Sequence, residues 1–91
     1  MSMNKDEAVE KARKDLAQRL KIDPKEINEQ SVQDDDFPDM ALGAPEEEEM
    51  SGQMISSGWR IRLGANGKTY EYRADKNQVR LYQYHGKNYR I

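Results

Sequence analysis

The chain carries a single imidazole, His85, in a His85-Gly86-Lys87 turn with no nucleophile signature beside it. Ser51, Ser56 and Ser57 lack the G-x-S-x-G elbow and the Ser-x-x-Lys spacing that activate a hydroxyl. Cysteine is absent, which excludes a thiolate nucleophile, a disulfide framework and a cysteine-based zinc site. Asp34, Asp36 and Asp39 offer oxygens of the kind calcium takes. Pro38 and Asp39, however, stand where an EF-hand loop needs an oxygen ligand and a glycine. They are solvated loop acids, as is the run of glutamates at 46–49. The chemistry points away from an enzyme, and no cofactor or metal is expected.

Binding is the remaining class. Arg60, Arg62, Arg73, Arg80 and Arg90, with Tyr82 and Tyr84, would track phosphates and stack bases if they formed an exposed sheet face. The net charge of −2, Glu71 in their midst and a strongly acidic neighbouring segment argue against nucleic acid. An ordinary solvent face, with long arginine stems covering apolar strand edges, accounts for them. The stretch 37–45, Phe-Pro-Asp-Met-Ala-Leu-Gly-Ala-Pro, is more informative. Phe37, Met40 and Leu42 are apolar residues inside a loop, expected only if the loop packs. Pro38, Gly43 and Pro45 restrict it, and Asp39 can hold a turn by accepting from backbone N–H groups. Such a stretch either plugs the open end of a small core or presents a rigid surface to a partner. Trp59 fits both, as core anchor or as binding aromatic. The candidate binding residues are Phe37, Pro38, Asp39, Leu42, Gly43, Pro45 and Trp59.

The elements that must position these residues follow from length and charge. Ninety-one residues make one domain, 1–91, with a thin core: 35% of residues are charged and mean hydropathy is −1.15. Residues 1–25 carry a net +2, residues 26–59 ten acids and no base, and residues 60–91 a net +6. The acidic middle is expected to fold back on the basic end, or each block to face its own partner. No apolar run suits a secretory signal or a membrane span, which favours the cytoplasm.

A helix is predicted over residues 5–20. Asn4 and Glu7 have capping-box spacing, and Val9, Ala12, Leu16 and Leu20 form one narrow apolar stripe that needs a sheet to lie against. A single helical turn follows at 23–27, capped by Asp23 with Pro24 at its first position. It leads to a strand near 28–33, a long acidic loop over 34–53 and a meander over about 54–91. Asn66-Gly67 marks a two-residue hairpin of type I′. In that register Leu63 faces Tyr70, Ile61 faces Tyr72 and Trp59 faces Ala74, while Arg62 meets Glu71 and Arg60 meets Arg73 on the other side. The turn at 75–78 then sets Val79 against Ala74 and Leu81 against Tyr72. A last hairpin at 85–87 puts Ile91 beside Leu81 with a three-residue loop, or beside Tyr82 with a two-residue loop. The fold class is α+β: an N-terminal helix packed on a four- or five-stranded antiparallel meander with a long acidic loop.

The chain resembles a family of small uncharacterised bacterial domains, cyanobacterial members among them. Their sequences read roughly D-L-A-x-R-L-x-I, W-P-D-x-S-L-G-C-P, P-G-Y-R-I-x-L and G-x-x-Y-x-Y-H. The matching residues are Asp15-Leu16-Ala17, Arg19-Leu20 and Ile22, then Phe37-Pro38-Asp39 and Leu42-Gly43-Ala44-Pro45. Gly58-Trp59-Arg60-Ile61-Arg62-Leu63, Gly67, Tyr70, Glu71 and Tyr72 complete the match. The family's loop cysteine is Ala44 here and its later cysteine falls at Tyr82, so the resemblance implies that these two positions are neighbours. Its Pro-Gly-Met stretch is replaced by Glu47-Glu48-Glu49. A fainter likeness is to PepSY-type domains, which are associated with binding or inhibiting peptidases.

The expectation is a monomer or weak dimer, non-catalytic, that binds an unidentified protein partner or regulates it through the 37–53 loop. A peptidase inhibitor of PepSY-like type is the rival, and single-stranded nucleic-acid binding by the Arg/Tyr face the third reading. The last strand, if exposed, can pair edge to edge.

Overall fold

The computed structural model describes residues 2–91, and its organisation follows from the local signals in turn. Asn4 Oδ1 accepts from the Glu7 amide and Glu7 Oε1 from the Asn4 amide, both at 2.9 Å, which starts helix α1 (Lys5–Leu20). Lys21 ends it in the left-handed region at φ 57°. Asp23 caps a single 3-10 turn, Pro24–Glu26, whose Glu26 carboxylate returns to the Asp23 amide at 3.1 Å.

Five strands follow: β1 (Asn28–Phe37), β2 (Ser56–Ala65), β3 (Lys68–Ala74), β4 (Val79–Tyr84) and β5 (Lys87–Arg90). They pair antiparallel with their sequence neighbours, in the order β1-β2-β3-β4-β5. The Asn66-Gly67 turn has φ of 52° and 75°, as type I′ requires, and both central hairpins have the predicted register. Leu63 lies opposite Tyr70, Ile61 opposite Tyr72, Trp59 opposite Ala74 and Leu81 opposite Tyr72.

Two boundaries differ from expectation. The first strand does not end at residue 33; Asp34, Asp35 and Asp36 continue it, and the connecting loop spans 38–55 instead of 34–53. Partners on α1 and β2 hold the three acids extended. Lys5 lies 3.6 Å from Asp34, Arg60 binds Asp35 at 2.7 Å and the Ser57 hydroxyl donates to Asp36 at 2.8 Å. The last hairpin has neither predicted register. Its turn is His85-Gly86, with Tyr84 opposite Lys87, and Gln83 at φ 53° bulges out. The bulge shifts the pairing so that Leu81 meets Tyr89, and the Ile91 amide donates to Val79 O at 3.0 Å.

The main core lies between α1 and one face of the sheet. Ala8, Val9, Ala12, Leu16 and Ala17 pack on Ile61, Leu63, Tyr72, Val79 and Leu81, the alanines letting the helix approach closely. The Tyr72 hydroxyl donates to Asp15 at 2.8 Å, and Arg19 completes the group with a 2.7 Å contact to Asp15 while lying over the Tyr89 ring at 4.6 Å. Burial, reinforced by Asp15, pushes the Tyr72 phenol well above its ordinary range. No helix among the described residues is long and apolar enough to cross a membrane.

Two glycines separate steric from conformational demand. A Cβ on Gly58 would stand 2.0 Å from the Ala74 carbonyl oxygen, a backbone atom that cannot yield, whereas one on Gly67 would meet nothing within 4 Å. Gly58→Ala is therefore expected to cost about 3 kcal/mol or more by overpacking. Gly67→Ala is expected to cost only about 1–2 kcal/mol for its left-handed backbone. Urea midpoints of the two variants check the order; equal losses would contradict it.

Candidate functional site

The face of the sheet turned away from α1 carries a row of like charges. Arg60 lies opposite Arg73, Arg73 opposite Arg80 and Arg80 opposite Arg90, so four arginines stand side by side across β2, β3, β4 and β5. The sequence suggested a solvent face here, and the structure corrects that. Arg80 is 2% exposed and Arg73 8%, because the 38–55 loop lies over them.

The loop is shaped for this position. Asp39 Oδ1 accepts from the Ala41 amide at 2.9 Å and the Gly43 amide at 3.0 Å, folding the backbone into a tight turn. Leu42 and Gly43 are both left-handed, at φ 59° and 66°. A Cβ on Gly43 would come within 2.7 Å of Arg73 Nη1, so this position demands glycine on space as well as φ.

The turn aims successive carbonyls at the sheet. Arg73 Nη1 donates to Leu42 O and Gly43 O at 3.2 and 3.1 Å, and Arg80 Nη1 donates to Ala44 O at 3.2 Å. The Ala44 carbonyl thus rests on Arg80, two residues before Tyr82 on β4. Arg80 also grips Glu49 with both terminal nitrogens, at 2.5 and 2.7 Å. Glu71 collects Arg60, Arg62 and Arg73, and the Arg73 guanidinium stacks on Tyr82 at 3.7 Å. Among the described residues no buried side-chain nitrogen or oxygen lacks a partner. The far end of the loop reaches β5, where Asn88 Nδ2 donates to Pro45 O at 2.8 Å and the Arg90 amide to Glu46 at 3.2 Å. The Met40 amide donating to Gly52 O at 2.9 Å closes the loop on itself.

The predicted site residues divide accordingly. Phe37 and Leu42 are buried with Ala41 and Ala44, forming a second small core under the loop. They cover the sheet's other face and do not plug the end of the first core. Asp39 and Gly43 are half-buried and build the turn; Pro38 and Pro45 are exposed at its flanks. Trp59 is not with them: it packs beside the α1 core on the opposite face. The 46–49 run is no uniform solvated strip either, since Glu49 is fixed on Arg80 while Glu47 and Glu48 are exposed. His85 is exposed in its turn against the Tyr84 ring.

The sequence passed over Met50, Met54 and Ile55 on the loop's crest, and Met40, expected to pack with Phe37 and Leu42, is half exposed there as well. Met40, Met50, Met54 and Ile55 are 50%, 97%, 70% and 72% exposed, and they are the large exposed apolar side chains among the described residues. A hollow of about 620 Å³ beside Met54 and Ile55 is also lined by Trp59, Asp75 and Lys76. The signal was present in Met50, Met54 and Ile55: apolar residues with neither helical nor strand period, in a segment too polar to make a core. Among the described residues, no three of His, Asp and Glu converge as a metal would require.

A helix-backed five-strand meander whose second face is partly covered by its own loop defines a small α+β domain. Residues 9–87 match the model of a family described as a domain of unknown function, DUF8738, and the chain belongs to that family. No curated protein and no solved structure matches it.

The Arg80–Glu49 contact has a pH signature. Its hydrogen bonds to Arg80, with a further one from the Glu46 amide, hold the Glu49 carboxyl down at about 2, against an ordinary 4.5. A carboxyl depressed on folding contributes stability that is complete above its unfolded pKa and is lost as pH falls through its folded one. Loop closure is therefore expected to weaken between about pH 4.5 and 2, followed by the Ala44 and Gly43 amide shifts. In Glu49→Gln that acid transition should vanish and the protein be less stable at pH 7. An unchanged acid transition in the variant would remove Glu49 as its source.

Proposed function

We propose that this domain is a non-catalytic protein-binding module whose contact surface is the crest of the 38–55 loop. One observation carries the reading: the exposed large apolar side chains among the described residues, Met40, Met50, Met54 and Ile55, fall in that single segment. Scattered exposed apolar residues are ordinary on a small protein, but their concentration in one loop is the mark of a contact surface. The base of the loop is fixed by Arg73 and Arg80, so the crest is presented without the ordering cost a free loop would incur on binding. Methionine suits the role, because an unbranched thioether adapts to a partner's relief. Of the seven residues singled out in the sequence, Phe37, Leu42, Asp39 and Gly43 support this surface from beneath and do not form it.

The test is a pull-down with the tagged full chain and its Met50→Ser/Met54→Ser/Ile55→Ser variant, with captured proteins identified by mass spectrometry. All three side chains are exposed, so the variant is expected to melt within a few degrees of the wild type. It should lose a partner that the wild type retains in a reciprocal pull-down. Equal capture of that partner by both forms would end this reading.

A further inference from the structure

We propose that the open edge of β1 takes up an extended polypeptide segment with lysine or arginine at alternate positions, which joins the sheet as a sixth strand. The inference does not rest on the loop crest; it rests on a different edge of the molecule. β1 is ten residues long, pairs only with β2 and ends the sheet, so one row of its backbone groups has no strand beside it. At the far end of that row the Asp36 amide is capped by the neighbouring Asp35 carboxylate at 2.8 Å, and at the near end the pairing with β2 shifts register between Glu29 and Ser31, so the regular open row runs from Ser31 to Asp34. An unpaired strand of this length is the surface on which strand addition occurs, with backbone hydrogen bonds giving affinity and alternate side chains giving choice of partner.

Charge fixes the occupant. No lysine or arginine occurs from Glu26 to Trp59, and β1 itself contributes Glu29, Asp34, Asp35 and Asp36. Asp35 is already neutralised by Arg60 on the loop side. Asp34 and Asp36 point to the other side, opposite Trp59 and Ser57 in the register. Among the described residues Asp34 has the 3.6 Å approach of Lys5, and Asp36 the Ser57 hydroxyl. Alternate residues of a strand lie about 7 Å apart on one face, so these two carboxylates match two cations at alternate positions of an added strand. A hollow of about 560 Å³ lined by Asp34, Asp35, Asp36, Ser57, Gly58 and Trp59 has room for the aliphatic stem of such a side chain. Its cation would lie beside Trp59 as well as a carboxylate. A second copy of β1 is the wrong occupant, because antiparallel self-pairing sets acidic positions against acidic positions.

The experiment titrates the ¹⁵N-labelled full chain with a peptide of about ten residues alternating lysine and threonine. Two controls are its glutamate–threonine counterpart and a lysine–threonine peptide N-methylated along one backbone edge. The lysine peptide should shift the amides of residues 31–34 and bind at least about tenfold more tightly than either control. Asp34→Asn/Asp36→Asn should weaken it by about tenfold at an unchanged melting temperature, and Met54→Ser/Ile55→Ser should leave it unaltered. Absence of binding at millimolar peptide overturns the proposal. Equal binding of the N-methylated peptide would reduce the edge to a bare charge sink and overturn it too. So would self-association through β1 that disappears in Lys87→Glu/Arg90→Glu, because the edge would then belong to the basic β5 of another copy.

Discussion

Four arginines abreast on one sheet face set the terms for this molecule. Directly opposed like charges weaken a sheet, and Arg60, Arg73, Arg80 and Arg90 are opposed three times over. Two of the guanidiniums are then taken out of water, a further cost unless every donor finds an acceptor. Acceptors come from three sources: Glu71 within the row, the Gln78 Oε1 that accepts from Arg80 Nε at 2.8 Å, and the loop carbonyls of Leu42, Gly43 and Ala44 with the Glu49 carboxylate. The strained turn at Leu42-Gly43, the fixed glycine and the long connection between β1 and β2 all follow from delivering those oxygens to that place.

Seen this way the sheet has two unlike faces. The helix side is closed by apolar contact with a polar inlay, Tyr72–Asp15–Arg19, at its margin. The loop side is closed mainly by hydrogen bonds and charge, with Phe37, Ala41, Leu42 and Ala44 as a small apolar filling. The first closure is the ordinary one for an α+β domain. The second explains how a chain with 35% charged residues covers both sides of its sheet with so little apolar material.

The elements governed by neighbouring residues were legible in the sequence. Asn4 with Glu7 set the helix start, and Asn66-Gly67 set a register in which Ile61 meets Tyr72. Each is decided within a few residues, by capping or by turn geometry. The covering of the second face was not legible, because Arg60-Ile61-Arg62 and Tyr72-Arg73 alternate as a solvent-facing strand does. Only a partner some 30 residues away, Gly43 for Arg73 or Glu49 for Arg80, makes those arginines interior. Asp34 to Asp36 read as loop for the same reason, since the residues that keep them extended, Arg60 and Ser57, lie across the sheet. The bulge at Gln83 moved the last strand by a step no local pattern announced. Trp59, grouped in the sequence with Phe37, turned out to belong to the other layer.

The arginine row also bears on the order in which the chain is made. Synthesis runs from the N-terminus, so the whole acidic stretch through Trp59 has left the ribosome before Arg60, the first of the four, emerges. Each basic strand thus follows its counter-charge along the chain. Reversed order, with the arginines first, would leave a cationic meander waiting for its cover beside the polyanionic ribosome.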